Sequence, residues 1–322
     1  MLYLLPNKQL FICITTIIYR QNMKQKSLHL PKTLFFAILL TIVAATGCKK
    51  SSTITEPQVA STALTQDEQL SIAKAGFSPT NAVRVKGGFI VEGDILLKQA
   101  DLDFQSQHVS EVIFKKPVTE QYRTLFIVTG LTNAIKVKVS AGASQQVFTT
   151  AAKNAIKRYN DLGLTLTFTL LDSASIEKED ILIQGQQFGD PNILGQSSGF
   201  PGADGRPATP IALNSSRYTH TFVDKGELTT VIAHEIGHAI GFRHTDFQNR
   251  AYSCGYDTSS WIGILQAFFK IPVDEGGLAF YIPGTPIGGE PGSWMLACSD
   301  GTDRPFTPSD VVAIESLYPV RK

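Results

Sequence analysis

The chain carries almost no excess charge of either sign: 29 Lys and Arg against 28 Asp and Glu leave a formal net charge of +1. No long basic run occurs either, so nothing invites nucleic acid or an anionic surface through charge. No internal repeat is visible. The glycine-rich stretch from Gly195 to Pro207 lacks the Lys-Ser/Thr of a phosphate loop and reads as a surface loop. Cysteine is scarce, with four in 322 residues. That length allows one or two domains with a sizeable core.

What is present centres on His234-Glu235-Ile236-Gly237-His238-Ala239-Ile240-Gly241-Phe242-Arg243-His244, an HExxHxxGxxH string. Helical residues four apart project from one face, so His234 and His238 can share one Zn2+. Glu235 stands one step round the helix, within reach of a water on such a metal. Gly241 supplies the positive φ of a helix-ending turn, which returns His244 as a third ligand. HExxH alone arises by chance in roughly one sequence in a few hundred. The added glycine and third histidine make chance negligible.

This string resembles the zinc site of metzincin peptidases, and HEIGHAIGFRHTD is similar to that of bacterial HEIGH metallopeptidases, with a Gly-Phe also found in astacins. The resemblance covers roughly residues 125–320. It implies an α+β, zincin-like (metzincin) catalytic domain with a mixed twisted sheet, two long helices and an irregular C-terminal subdomain. It also implies one catalytic Zn2+ held by His234, His238 and His244, Glu235 as general base, and protein or peptide substrates. Gly292-Ser293-Trp294-Met295 resembles the Met-turn, placing Met295 beneath the metal; Met295 as a plain core residue is the alternative. Thr245 departs from the astacin Glu, and Ala297 stands where astacins have a metal-ligating tyrosine. Asp246 is read either as orienting a ligand or as an ordinary turn residue.

Residues 1–48 read as a targeting segment, with 1–22 an upstream start ahead of Met23. Lys24, Lys26 and Lys32 precede the apolar run Thr33 to Thr46, which has signal-peptide length and is short for a membrane span. Ala45-Thr46-Gly47-Cys48 resembles a bacterial lipobox, which implies lipidation at Cys48, a membrane contact through that anchor, and export to the cell envelope or beyond. Residues 49–63 read as a tether. Residues 64–124 read as a pro-segment or small N-terminal domain, and 125–322 as the zinc metallopeptidase domain. Oligomeric state is not legible.

Within this frame, Thr65-Gln66-Asp67-Glu68 predicts a capped helix start. Ala82 to Leu97 predicts strands broken by a Gly87-Gly88 turn. Ala134 to Val139 alternates as a half-buried strand, and Val147 to Tyr159 repeats with helical period. Thr165–Leu171 and Asp180–Gln184 predict further strands. Pro210 to Asn214 reads as a proline-headed edge strand, open to substrate by strand addition or merely exposed. The zinc helix is expected from about Lys225 to Ile240. Ala251 to Glu290 reads as a loop-rich lower wall around an apolar centre. Thr307-Pro308-Ser309-Asp310 caps a last helix. His108 and His220 read as structural or surface histidines.

With Cys13 and Cys48 assigned to the targeting segment, Cys254 and Cys298 remain. Export favours a disulfide between them, with two buried free thiols as the alternative. Val91-Glu92-Gly93-Asp94-Ile95 resembles the Gly-Asp-Ile stretch of astacin pro-segments, whose aspartate holds the zinc until removal. That makes Asp94 a candidate inhibitory ligand, although Gly-Asp is also a common turn pair. The function expected is a secreted, lipid-anchored zinc endopeptidase. The alternative is a zinc-stabilised surface adhesion protein without catalysis.

Overall fold

A computed structural model describes residues 63–109, 121–131, 134–188, 190–271, 273–286 and 289–322. Cys13, the lipobox-like Cys48 and the tether up to residue 62 lie outside them. The described part belongs to one compact unit.

Three short stretches open the fold. Helix α1 (Gln66–Lys74) starts at a capping box in which Thr65 and Glu68 bond reciprocally. Strands β1 (Val83–Val85), β2 (Gly88–Val91) and β3 (Ile95–Lys98) then form an antiparallel meander. Helix α2 (Gln99–Val109) and the two-residue β4 (Tyr122–Arg123) follow. Phe89, Val91, Ile95 and Leu97 of the meander bury against Ile72, Phe77, Leu102 and Phe200 in a small core of their own.

The main core lies around β5 (Ile135–Ser140) and helix α3 (Gln145–Asn160). Strict alternation in β5 buries Ile135, Val137 and Val139 while its lysines point outward. The apolar stripe of α3, Phe148 to Tyr159, is buried throughout. Next come β6 (Phe168–Leu170), β7 (Ile181–Gln186), β8 (Gly195–Ser197) and β9 (Ile211–Asn214). The eight-stranded sheet runs β1-β2-β3-β8-β9-β7-β5-β6, with β3–β8, β9–β7, β7–β5 and β5–β6 parallel and β8–β9 antiparallel.

This order corrects two sequence expectations. Pro210–Asn214 is not an edge: β9 is paired on both sides and all four of its residues are buried. Proline at its head costs only one missing donor, which the first position of an interior strand tolerates. Conversely, Gly195 is no surface-loop residue but the buried start of β8.

Helix α4 (Glu227–Ile240) lies beneath the sheet with every residue buried. Tyr159 of α3 donates to the Ala233 carbonyl at 2.7 Å, tying the two long helices together. Beyond α4 are the short α5 (Ala251–Cys254), α6 (Trp261–Phe269), β10 (Phe280–Tyr281), which pairs with β4, and α7 (Pro308–Leu317). The centre of the expected loop region is thus the helix α6, on which Trp261, Ile262, Phe268 and Phe269 are exposed. Among the described residues no helix is long and apolar enough to cross a membrane.

Candidate metal centre

Helix α4 is fixed at both ends. Asp224 accepts from the backbone N–H groups of Gly226, Leu228 and Thr229, satisfying first-turn donors and placing negative charge at the positive end of the helix. At the other end Gly241 adopts φ 115°, and Gly241 and Phe242 both donate to the Gly237 carbonyl. A side chain at Gly241 would meet the Phe126 carbonyl at 3.0 Å, so glycine is required by conformation and by space. The reversal carries His244 back to the face that holds His234 and His238.

Each imidazole is oriented through its Nδ1. His234 Nδ1 donates to the Trp294 carbonyl at 2.8 Å, and His238 Nδ1 to the Phe242 carbonyl at 2.8 Å. His244 Nδ1 lies 2.8 Å from a Glu275 carboxylate oxygen. Because these partners accept, the ring proton is placed on Nδ1 and the Nε2 lone pairs are left to converge. They do so on one point: Asp94 Oδ2 lies 3.0 Å from His244 Nε2, 3.4 Å from His234 Nε2 and 3.7 Å from His238 Nε2. The four ligand atoms all lie within 4.8 Å of one another and the four residues are buried. Three imidazole nitrogens and a carboxylate oxygen around one point suit a tetrahedral Zn2+.

Burial pushes the His234 imidazole down to about 3 and lowers His238 as well, so both offer unprotonated nitrogens at neutral pH. Burial acts the same way on His244, but the Asp94 and Glu275 carboxylates outweigh it and hold that ring at about 9, so zinc would displace a proton from its Nε2 on binding. Glu235 is fully buried, and neither of its oxygens is hydrogen-bonded among the described residues. Burial first, and the Asp94 carboxylate second, raise its pKa well above the ordinary carboxylate range. Strand β8 passes directly over it: a β-carbon on Gly195 would lie 2.9 Å from Glu235 Oε1.

Trp294 and Met295 form a turn under α4, both about fully buried. A β-carbon on Gly237 would lie 2.5 Å from Met295 Sδ and 3.2 Å from Trp294 Nε1, so the glycine inside the motif makes room for this turn. Three hydroxyl- or carboxylate-bearing residues pin it. Thr245 Oγ1 is bonded to Ser293 Oγ at 2.8 Å, and Asp310 accepts from Ser293 Oγ at 2.7 Å and from the Trp294 N–H at 3.2 Å. Asp246 accepts from the Ala297 N–H at 2.9 Å and from Ser253 Oγ at 2.6 Å. Asp246 therefore holds the turn rather than a metal ligand. A disulfide joins Cys254 to Cys298 beside it. His220 is exposed in the loop before α4, apart from the cluster.

Two residues of this centre were missed in the sequence. Glu275 lies 31 positions after the histidine it contacts, in a Gly-rich loop. Asp310 reads locally as a helix cap, which it also is. Neither has a spacing that could have exposed its second contact.

Residues 99–318 match the model of a family described as dual-action HEIGH metallo-peptidase. No curated protein matches the chain. Among solved structures, the chain is similar to myroilysin (16% identity, TM-score 0.36, covering 60% of this chain and 86% of that one). It is also similar to high choriolytic enzyme 1, a hatching enzyme zinc-protease from the medaka Oryzias latipes (15% identity, TM-score 0.34, covering 61% and 95%).

Proposed function

The chain belongs to the family of dual-action HEIGH metallopeptidases and is a zinc-dependent peptidase, and from that premise we propose that it is an endopeptidase kept latent by its own N-terminal segment. His234, His238 and His244 hold the zinc, and Glu235 is the general base. One observation carries the reading: three Nε2 atoms, each with its Nδ1 tied to an acceptor, face one point that the Asp94 carboxylate also reaches.

The chemistry zinc supplies when bound is Lewis acidity, which lowers the pKa of water toward 7 and polarises a scissile carbonyl. Glu235 takes the proton of the attacking water and passes it to the leaving amine. Burial disfavours its ionised form, which suits that return step. The buried wall of β8 and α4 around Glu235 keeps bulk water away from the transfer.

Asp94 is the latch in this reading. Its carboxylate stands at the place a fourth ligand would take, and β3, which follows it, pairs with β8, with the Ser197 N–H donating to the Asp94 carbonyl at 3.0 Å. The family match begins only at Gln99, after this segment. When the segment leaves, β8 becomes the open edge of the sheet beside the metal, and an extended peptide adds there. This moves the substrate strand from β9 to β8. The chain is further proposed to be exported and lipid-anchored at Cys48, which metabolic labelling with an acyl probe, lost in Cys48→Ala, would test.

The test of the proposed chemistry uses turnover of internally quenched peptides. Asp94→Ala in the full chain is expected to free the metal and release part of the activity that proteolytic removal of the segment releases in full. Adding Glu235→Gln to that background should keep one zinc per chain while lowering turnover by about 100- to 10,000-fold. Near-parental turnover in the zinc-loaded double variant would remove Glu235 from the mechanism.

A further inference from the structure

Two residues before Asp94, Glu92 is buried at φ 52°, a conformation that a residue with a side chain holds only when its surroundings impose it. That conformation belongs to the tight turn joining β2 to β3, where Gly93 also has a positive φ, and a pair of arginines holds the residue there. Arg243, immediately before His244, directs its Nε to Glu92 Oε2 at 3.1 Å and ion-pairs with the other carboxylate oxygen through Nη2. It is almost fully buried, its guanidinium lying 5.1 Å from the Phe77 ring centroid and 4.5 Å from that of Phe247. Arg250 donates to the Glu92 backbone carbonyl at 2.7 Å and pairs at the same time with Glu275, the carboxylate that orients His244. Ligand atoms of Glu92, Glu275 and His244 lie within 4.8 Å of one another, with Arg243 paired to Glu92 and Arg250 to Glu275.

From this geometry we infer that Arg243 forms a carboxylate-binding site beside the metal centre, that the Glu92 carboxylate is its ligand, and that Arg250 secures the same residue through its backbone carbonyl. It deepens the latency reading, on which it partly rests, by giving the segment two anchors two residues apart: Asp94 on the histidines and Glu92 on the arginines. A planar guanidinium matches a carboxylate with two parallel bonds, so the site selects an acidic side chain over an amide or a hydroxyl. Removing one member of a buried pair leaves the other charge uncompensated, so loss of the Glu92 carboxylate is expected to loosen the segment. Phe77, from the segment itself, closes over Arg243 and dries the pair.

Amide hydrogen exchange in the full chain tests this directly. Glu92→Gln is expected to speed exchange across residues 88–98 at least tenfold while the amides of α3 and α4 keep their protection. Glu92→Asp should fall between the two. Unchanged exchange across 88–98 in Glu92→Gln would overturn the inference, and so would an equal loss in α3 and α4, which marks general destabilisation. Turnover after proteolytic removal of the segment reports separately on the latch: silence there removes the latency reading, while the exchange result still decides whether Arg243 binds Glu92.

Discussion

Met295 Sδ occupies the space that a side chain on Gly237 would need, so the helix that carries the histidines and the turn beneath it fit only because one residue of the motif has no β-carbon. The contact fixes the height of α4 above the turn, and the turn in turn presents the Trp294 carbonyl to His234 Nδ1.

Gly237→Ala weighs two opposed effects. Alanine in a helix interior gains about 1 kcal/mol over glycine. Overpacking a filled core costs about 1–3 kcal/mol, and here both neighbours are buried and Trp294 is further held by Tyr159 Oη at 3.0 Å. Overpacking is expected to win, lowering the thermal midpoint by about 2–4 °C for a net loss near 1 kcal/mol. A calorimetric scan showing an unchanged or higher midpoint would mean that the turn yields freely.

The disulfide is expected to contribute to stability through the loop it closes. Cys254 and Cys298 are 44 residues apart, and closure of such a loop corresponds to about 4 kcal/mol in the chain-entropy account. Cys254→Ser with Cys298→Ser should therefore cost about 2–4 kcal/mol in denaturant titration. Thiol labelling of the unreduced, denatured protein should find neither cysteine free; two labelled thiols contradict the bond.

Glu275→Gln keeps the size of the side chain but removes the charge facing His244 Nδ1. Loss of such an orienting carboxylate typically weakens metal affinity about 10- to 100-fold. Competition against a chromophoric chelator measures this, with far-ultraviolet dichroism as the check on folding. An affinity within twofold of the parent would make Glu275 a partner of Arg250 alone.

Much of this arrangement was legible wherever the signal was local. The Thr65–Glu68 and Thr307–Asp310 caps, the period of Phe148 to Tyr159 and the alternation of Ile135 to Val139 are written in neighbouring residues, and each element forms where its pattern lies. The zinc-helix start moved from about Lys225 to Glu227 because Asp224 and Gly226 form the cap. The order of strands was not legible. Pro210 suggested an edge, but pairing on both sides of β9 depends on β8 and β7, which are distant in sequence. The same holds within the site. Histidine spacing follows from one helix and one turn, whereas Glu275, Asp310 and the Glu92–Arg243 pair depend on contacts 17 to 151 residues apart.

The most direct measurement of the central claim is peptide turnover by the Asp94→Ala chain before zinc removal, after stripping with a chelator, and after return of one equivalent of zinc. The account predicts turnover that disappears with the metal and returns with it at one zinc per chain. Turnover that persists in protein shown to contain no zinc would contradict it.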